Sequence, residues 1–140
     1  EPVSAEVTAL AKGYANQVRK SDSAPQTWIR FGEPVVRMTN TEPGCGGRNQ
    51  HLALALACEL KGVPKWHFLA AGSDGIDGNS DAAGALVDGE TWVKAERLGL
   101  DPNKALAEFD SYRVHQGVGT LIQTGPTGNN LLDLQVLSIG

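Results

Sequence analysis

The sequence predicts an α/β fold, a layered mixed sheet with helices packed on it, and three observations lead there. Short β-rich runs alternate with runs whose apolar residues recur at helical spacing. With 41% apolar residues in 140, the chain can bury one sizeable core, so one globular domain is the default. Three polar, glycine-rich stretches fall between the periodic runs, at Gly44–Arg48, Gly72–Gly84 and Gly125–Asn130. In layered sheets such loops gather where strands end, and ligands gather with them.

Taken in order, Ser4 to Lys20 sets Val7, Leu10, Ala11, Tyr14, Ala15 and Val18 on one helical face, with Ser4 as cap and Arg19-Lys20 as a basic end. Thr27 to Phe31 and Val35 to Thr39 read as short strands around a Gly32-Glu33-Pro34 turn. After a loop through Gly47, Asn49 is expected to cap a helix to Leu60, which Gly62 and Pro64 stop. Trp66 to Ala71 and Gly84 to Val87 read as strands, and Thr91 to Leu98 as a helix. Asp101 caps a further helix with Pro102 in its first turn, running to about Phe109. Asp110 to Gly119 carries no clear period, and Thr120–Thr124 and Leu134–Ile139 close the chain as β-rich runs.

The stretch AGSDGIDGNSDAAG, Ala71 to Gly84, is too polar for a core and is held between two apolar strands. Its glycines let backbone approach a ligand, and Asp74, Asp77 and Asp81 can meet a hard cation or accept from hydroxyls. It is expected to form one wall of a binding site. Asp77-x-Asn79-x-Asp81 imitates the opening of a calcium loop, but Ala82 stands where that loop requires glycine and a strand precedes it. The other readings are a set of turn caps or a magnesium or substrate site. Gly44-Cys45-Gly46-Gly47-Arg48 lacks both G-x-G-x-x-G spacing and a P-loop lysine. It is either a tight turn before a helix or an anion site, in which free N–H groups and the positive helix end face a phosphate or carboxylate beside Arg48.

Several function classes find no support. Twelve Lys plus Arg against sixteen Asp plus Glu give a net charge of −4 with no basic run, which argues against nucleic acid and against a membrane surface. No run approaches the roughly 18 apolar residues of a membrane helix, and no signal peptide is evident. Cys45 and Cys58 fit neither zinc spacing nor a disulfide framework, so a reducing cytoplasm is expected. His51, His67 and His115 lack ligand spacing, and Trp28, Trp66 and Trp92 read as core or contact aromatics. No serine sits in a nucleophile elbow. The expected partner is a small molecule or a protein.

GGRNQ (Gly46 to Gln50), GSDGIDGNSDAAGA (Gly72 to Ala85), GLDP (Gly99 to Pro102), DSY (Asp110 to Tyr112) and TGPTGNN (Thr124 to Asn130) together resemble the C-terminal domain of glycerate 2-kinases, the MOFRL domain. The resemblance runs in order from about Phe31 to Gly140. It implies a two-domain enzyme with its active site in the cleft between an N-terminal nucleotide-type domain and this one. The implied reaction moves the γ-phosphoryl of ATP, with Mg2+, to the 2-hydroxyl of D-glycerate or a related small hydroxy acid. Arg48 then matches the family's catalytic arginine. Gly46, Gly47, Asn49, Gln50, Asp74, Gly75, Asp77, Thr124, Gly125, Thr127 and Asn129 become the expected substrate or phosphate contacts, with Asp74 and Asp77 as metal ligands.

The chain departs from the family pattern at His51, which replaces a glutamate and is expected to bring a positive charge near the anion site. It departs also at Ser73, Asn129, Leu132 and Phe31 to Val36. Residues 1–26 are expected to be the helix and linker at the junction with an absent N-terminal domain, and 27–140 the MOFRL-like domain. That absent domain carries the lysine that works with the arginine, so this piece alone is expected to be inactive. Two alternatives stand beside the kinase: an NAD(P)-dependent hydroxypyruvate reductase, after an older label of the family, and a non-catalytic ligand-binding domain. A homodimer is compatible with all three.

Overall fold

A computed structural model of the chain describes residues 3–21, 24–32, 44–129 and 132–140. The expected strand at Val35–Thr39, its turn at Glu33-Pro34 and Asn130 lie outside the described residues. Helix α1 spans Val3–Lys20 and is followed by strand β1, Gln26–Gly32. Helix α2 is Arg48–Glu59, and strands β2 and β3 are Trp66–Gly72 and Gly84–Asp88. Three short helices follow, α3 at Thr91–Arg97, α4 at Pro102–Ala107 and α5 at Ser111–Val118, then β4 at Leu121–Ile122 and β5 at Asp133–Ile139. Asp101 caps α4 as expected, its side chain accepting from the backbone of Lys104. The stretch without a clear period is α5, amphipathic enough to bury Val114, His115 and Val118, and Gly119 ends it in the left-handed conformation with φ 87°.

The five strands form one sheet in the order β1-β5-β2-β3-β4. The α/β layering is as expected, but the mixed character is not, since all four neighbouring pairs are antiparallel. The reason is topological. The crossover through α2 returns β2 parallel to β1, and β5 then inserts between them, antiparallel to both. A loop over residues 73–83 joins β2 to β3 as antiparallel neighbours.

Strict alternation in β5 and at the start of β2 sends Leu137, Ile139, Trp66, Phe68 and Ala70 to one face, where they are buried. Onto that face pack α1, through Val7, Ala11, Tyr14, Ala15 and Val18, and α2, through Leu52, Leu56 and Leu60. The opposite face carries Ile29, Phe31 and Leu86, all largely exposed. At the far end α1 meets α2 where Arg19 donates to the carbonyl of Glu59 at 2.8 Å. The ends that matter for function are the opposite ones, where β1 and β2 finish, β3 and β5 begin, and α2 starts.

Candidate functional site

Helix α2 starts behind Gly47, whose extended backbone offers no side chain to cap the first turn. The cap comes instead from the acidic loop. One carboxylate oxygen of Asp77 accepts from the Asn49 backbone N–H at 3.1 Å and from its Nδ2 at 3.2 Å, and the other accepts from the Gln50 N–H at 2.8 Å. Gly47 makes this possible, because a Cβ there would lie 2.4 Å from the Asp77 carboxyl carbon. Burial pushes the Asp77 carboxyl above its ordinary range, while the bonds from Gln50 and Asn49 pull it back down.

Two expectations are corrected here. Asn49 does not cap the helix but lies inside its first turn, and the positive end of α2 is filled by the protein's own carboxylate. Two more N–H groups of the glycine loop are engaged by side chains: Cys45 N donates to Asp110 at 2.8 Å and Gly46 N to Asn79 Oδ1 at 2.8 Å. Both Asp77 oxygens thus accept from the first turn of α2. Among the described residues no three His, Cys, Asp or Glu side chains cluster as a metal site.

Arg48, the first residue of α2, reaches across to the start of β5, where its Nε meets Asp133 Oδ2 at 2.5 Å. The arginine side chain is 32% exposed and the aspartate 6%. Asp133 is the partner that the sequence motifs missed. Its signal was available only in the register, which sets it between two glycines, Gly32 on β1 and Gly72 on β2.

The acidic loop and the third loop are laced together. Thr127 donates its N–H to the Asp74 carbonyl at 3.0 Å and its hydroxyl to the Ser73 carbonyl at 2.6 Å, while Thr124 Oγ1 donates to Gly125 O at 2.8 Å. Gly75 sits at φ 84°, and a Cβ on it would come within 2.1 Å of the Gly125 carbonyl, so only glycine lets the two loops touch. Asn129 donates its N–H to Thr127 Oγ1 at 3.2 Å. Asp74 Oδ1 accepts from Ile76 N at 3.0 Å, closing its own turn. On the other flank Asn79 Nδ2 donates to Gly44 O at 3.1 Å, tying the acidic loop to the first one. Asp81 lies apart, accepting from the Tyr112 hydroxyl at 2.8 Å.

All three loops thus meet at one end of the sheet, and exposure sorts the expected residues into two groups. Gly46, Gly47, Arg48, Asp74, Thr124, Gly125, Thr127 and Asn129 lie on a rim open to solvent. Asn49, Gln50, Gly75 and Asp77 are buried behind it. Gln50, fully buried, donates to Ser80 Oγ at 2.8 Å, and its carbonyl accepts from His115 Nε2 at 2.8 Å.

His51 brings no positive charge. It is 5% exposed, stacked on Phe109 with ring centroids 4.7 Å apart, and burial lowers its pKa to about 4. What the rim can do chemically is present one oriented guanidinium, two nearby carboxylates and several hydroxyl, amide and backbone groups to a small anionic ligand.

Known proteins resemble this chain in sequence and in fold. The model of the MOFRL family matches residues 26–133. A D-glycerate 2-kinase of Thermotoga maritima is 44% identical over 110 residues, which are 79% of this chain and 26% of the relative. A protein of Agrobacterium vitis, provisionally named hydroxypyruvate reductase, is 39% identical over 118 residues, 84% of this chain and 27% of the relative. The crystal structure of glycerate kinase from Thermotoga maritima superposes with a TM-score of 0.84 at 35% identity, covering 99% of this chain and 34% of that one. The chain thus spans roughly a quarter to a third of the proteins it matches.

Proposed function

The chain belongs to the MOFRL family, and from that premise we propose that it is the C-terminal, substrate-cleft domain of a glycerate 2-kinase that phosphorylates D-glycerate, or a related small hydroxy acid, from ATP. The observation that carries the proposal is the Arg48 guanidinium, one-third exposed and anchored by Asp133, on the rim where the Asp74 and Thr127 loops meet. Phosphoryl transfer asks for positioned charge and donors more than for covalent chemistry. Arg48 neutralises charge on the transferred phosphoryl or on the glycerate carboxylate. Thr124, Gly125, Thr127 and Asn129 supply the surrounding donors and acceptors, and Gly46, Gly47, Asn49, Gln50, Gly75 and Asp77 keep the rim in shape.

ATP and Mg2+ belong to the proposal as cofactors. Magnesium binds through one or two carboxylates plus substrate phosphates, and Asp74, half-buried on the rim, fits that role where Asp77 does not. When bound, the ion screens phosphate charge during transfer. The division of the chain at residue 26 is part of the same proposal, with the N-terminal domain of the parent closing the cleft. Helix α1 shares the core of the domain, so in packing it belongs with the rest of the chain. A hydroxypyruvate reductase gains nothing from the glycine loop, because Asp77 occupies the helix end where a dinucleotide pyrophosphate would sit.

The test is Arg48→Ala in the full-length parent, followed by ADP release coupled to D-glycerate. A loss of about 100-fold or more in kcat is expected, the scale of removing one charge-stabilising donor. Unchanged turnover refutes the assignment, and an inactive wild-type parent that still binds D-glycerate favours the binding domain. The isolated chain is expected to fall well below roughly 1 s⁻¹.

A further inference from the structure

Asp133 lies outside every motif that pointed to this site, and we infer that it is a positioning residue whose carboxylate holds Arg48 by its Nε edge so that the guanidinium meets an anionic group in one fixed orientation. The identity of that anion, a phosphoryl or carboxylate group, rests on the kinase reading. The pairing rests on geometry alone.

Asp133 opens β5 and is flanked across the sheet by Gly32 and Gly72, neither of which has a side chain. On the β2 side, Gly72 sets no side chain beside the carboxylate. A Cβ on Gly72 would lie 3.1 Å from Asp74 Oδ1, 3.3 Å from the Ile76 carbonyl and 3.6 Å from Asp133 Oδ1. The space is therefore lined by acceptors, and Asp133 turns its other oxygen, Oδ2, to Arg48 Nε.

A carboxylate this deeply buried needs a cation, and the arginine supplies it from another element, α2. Arginine is a long side chain with much rotamer freedom, and a contact at Nε fixes the plane of its head group. A guanidinium held in one plane is suited to directional contact with a phosphate or carboxylate. Such preorganisation is what a transition-state contact requires. The plainer alternative is that the pair only pins α2 to β5.

A double-mutant cycle in the full-length parent separates the two, with ATP and D-glycerate as substrates. Asp133→Asn is expected to lower kcat about 10–100-fold, the range found for partners that orient a ligating group, with the KM for ATP little changed. On an Arg48→Gln background the same substitution is expected to do nothing more. Wild-type kcat in folded Asp133→Asn overturns the inference, and so does a full, undiminished loss on top of Arg48→Gln.

The second measurement needs no Asp133 variant. In the parent labelled with 15N-arginine, the Arg48 Nε–H, assigned by its loss in Arg48→Gln, is expected to exchange slowly with solvent. Exchange as fast as that of a free arginine overturns the pairing. If the wild-type parent transfers no phosphate to D-glycerate, the kinase reading fails by itself. Inorganic phosphate titrated into the labelled parent and its Asp133→Asn variant then decides the positioning role: weaker binding by about 10-fold supports it, since the oriented contact is lost, and equal binding refutes it.

Discussion

Replacing Asp77 with alanine removes the acceptor from three donors at the start of α2, the Asn49 N–H, Asn49 Nδ2 and the Gln50 N–H. All three lie on buried residues, so water cannot replace the carboxylate without a cavity to hold it. Leaving a buried donor unpaired costs roughly 1–3 kcal/mol, and losing a helix N-cap costs about 0.5–2 kcal/mol. Against this stands the desolvation of Asp77 itself, which is relieved when the carboxyl is gone. The net loss is expected to be about 2–4 kcal/mol, a large share of the roughly 5–15 kcal/mol available to a domain. For a chain of this size that is a fall of roughly 10 °C in Tm. The assay is thermal unfolding followed by circular dichroism, with and without magnesium. A metal ligand would behave in the opposite way: its removal would leave the metal-free Tm in place and abolish only stabilisation by the ion. A metal-free Tm within about 2 °C of wild type, less than 1 kcal/mol, therefore refutes the capping role.

Three further outcomes are expected. Gly47→Ala should destabilise by about 1–3 kcal/mol through overpacking, because its φ of −149° suits alanine and only the approach of Asp77 opposes a Cβ; chemical denaturation reads this. Tyr14→Phe should cost about 1–2 kcal/mol by stranding the buried Gln135 Oε1 that accepts from the Tyr14 hydroxyl, with a matching drop in Tm. His51 and His115, lowered by burial to about 4, stay neutral in the folded chain while the unfolded chain takes up protons near 6.5. Their contribution is thus complete above about pH 6.5 and lost as pH falls toward 4, at most about 3 kcal/mol each. His51→Leu should flatten part of that slope in stability against pH, since leucine fills the shelf against Phe109 and removes a buried Nδ1 that has no partner; an unchanged slope refutes the assignment.

The order of elements was legible because strand and helix runs carry their own periods, and Asp101-Pro102 marks a helix start by local chemistry alone. The antiparallel pairing was not, because it depends on where β5 inserts, a matter of packing between segments far apart in sequence. The same distinction runs through the site. Glycine loops and Arg48 announce themselves locally. That Asp77 turns inward to cap α2, and that Asp133 meets Arg48, are facts of contact across 28 and 85 positions. Helix α5 escaped notice because polar residues and Gly117 interrupt its face, and Gly117 is there to admit Leu100, whose Cδ1 would lie 2.7 Å from a Cβ at that position.

The two buried carboxylates also bear on the second domain that the kinase reading proposes. Asp77 caps the helix end and Asp133 pairs with Nε of the arginine, so each obvious attractor of anions on this rim already faces one carboxylate. Asp74 adds a further negative charge beside them, and the chain as a whole stands at −4. A nucleotide triphosphate and a hydroxy acid are both anions, and this half of the site has little net positive charge to hold them. On the kinase reading proposed above, the balance comes from magnesium and from cations on the parent's N-terminal domain. The isolated chain is therefore expected to bind Mg–ATP with a Kd weaker than about 1 mM, less than roughly 4 kcal/mol of affinity. Titration calorimetry measures it, and a micromolar Kd in the isolated chain would mean that the rim carries a nucleotide site of its own and that the charge argument is wrong.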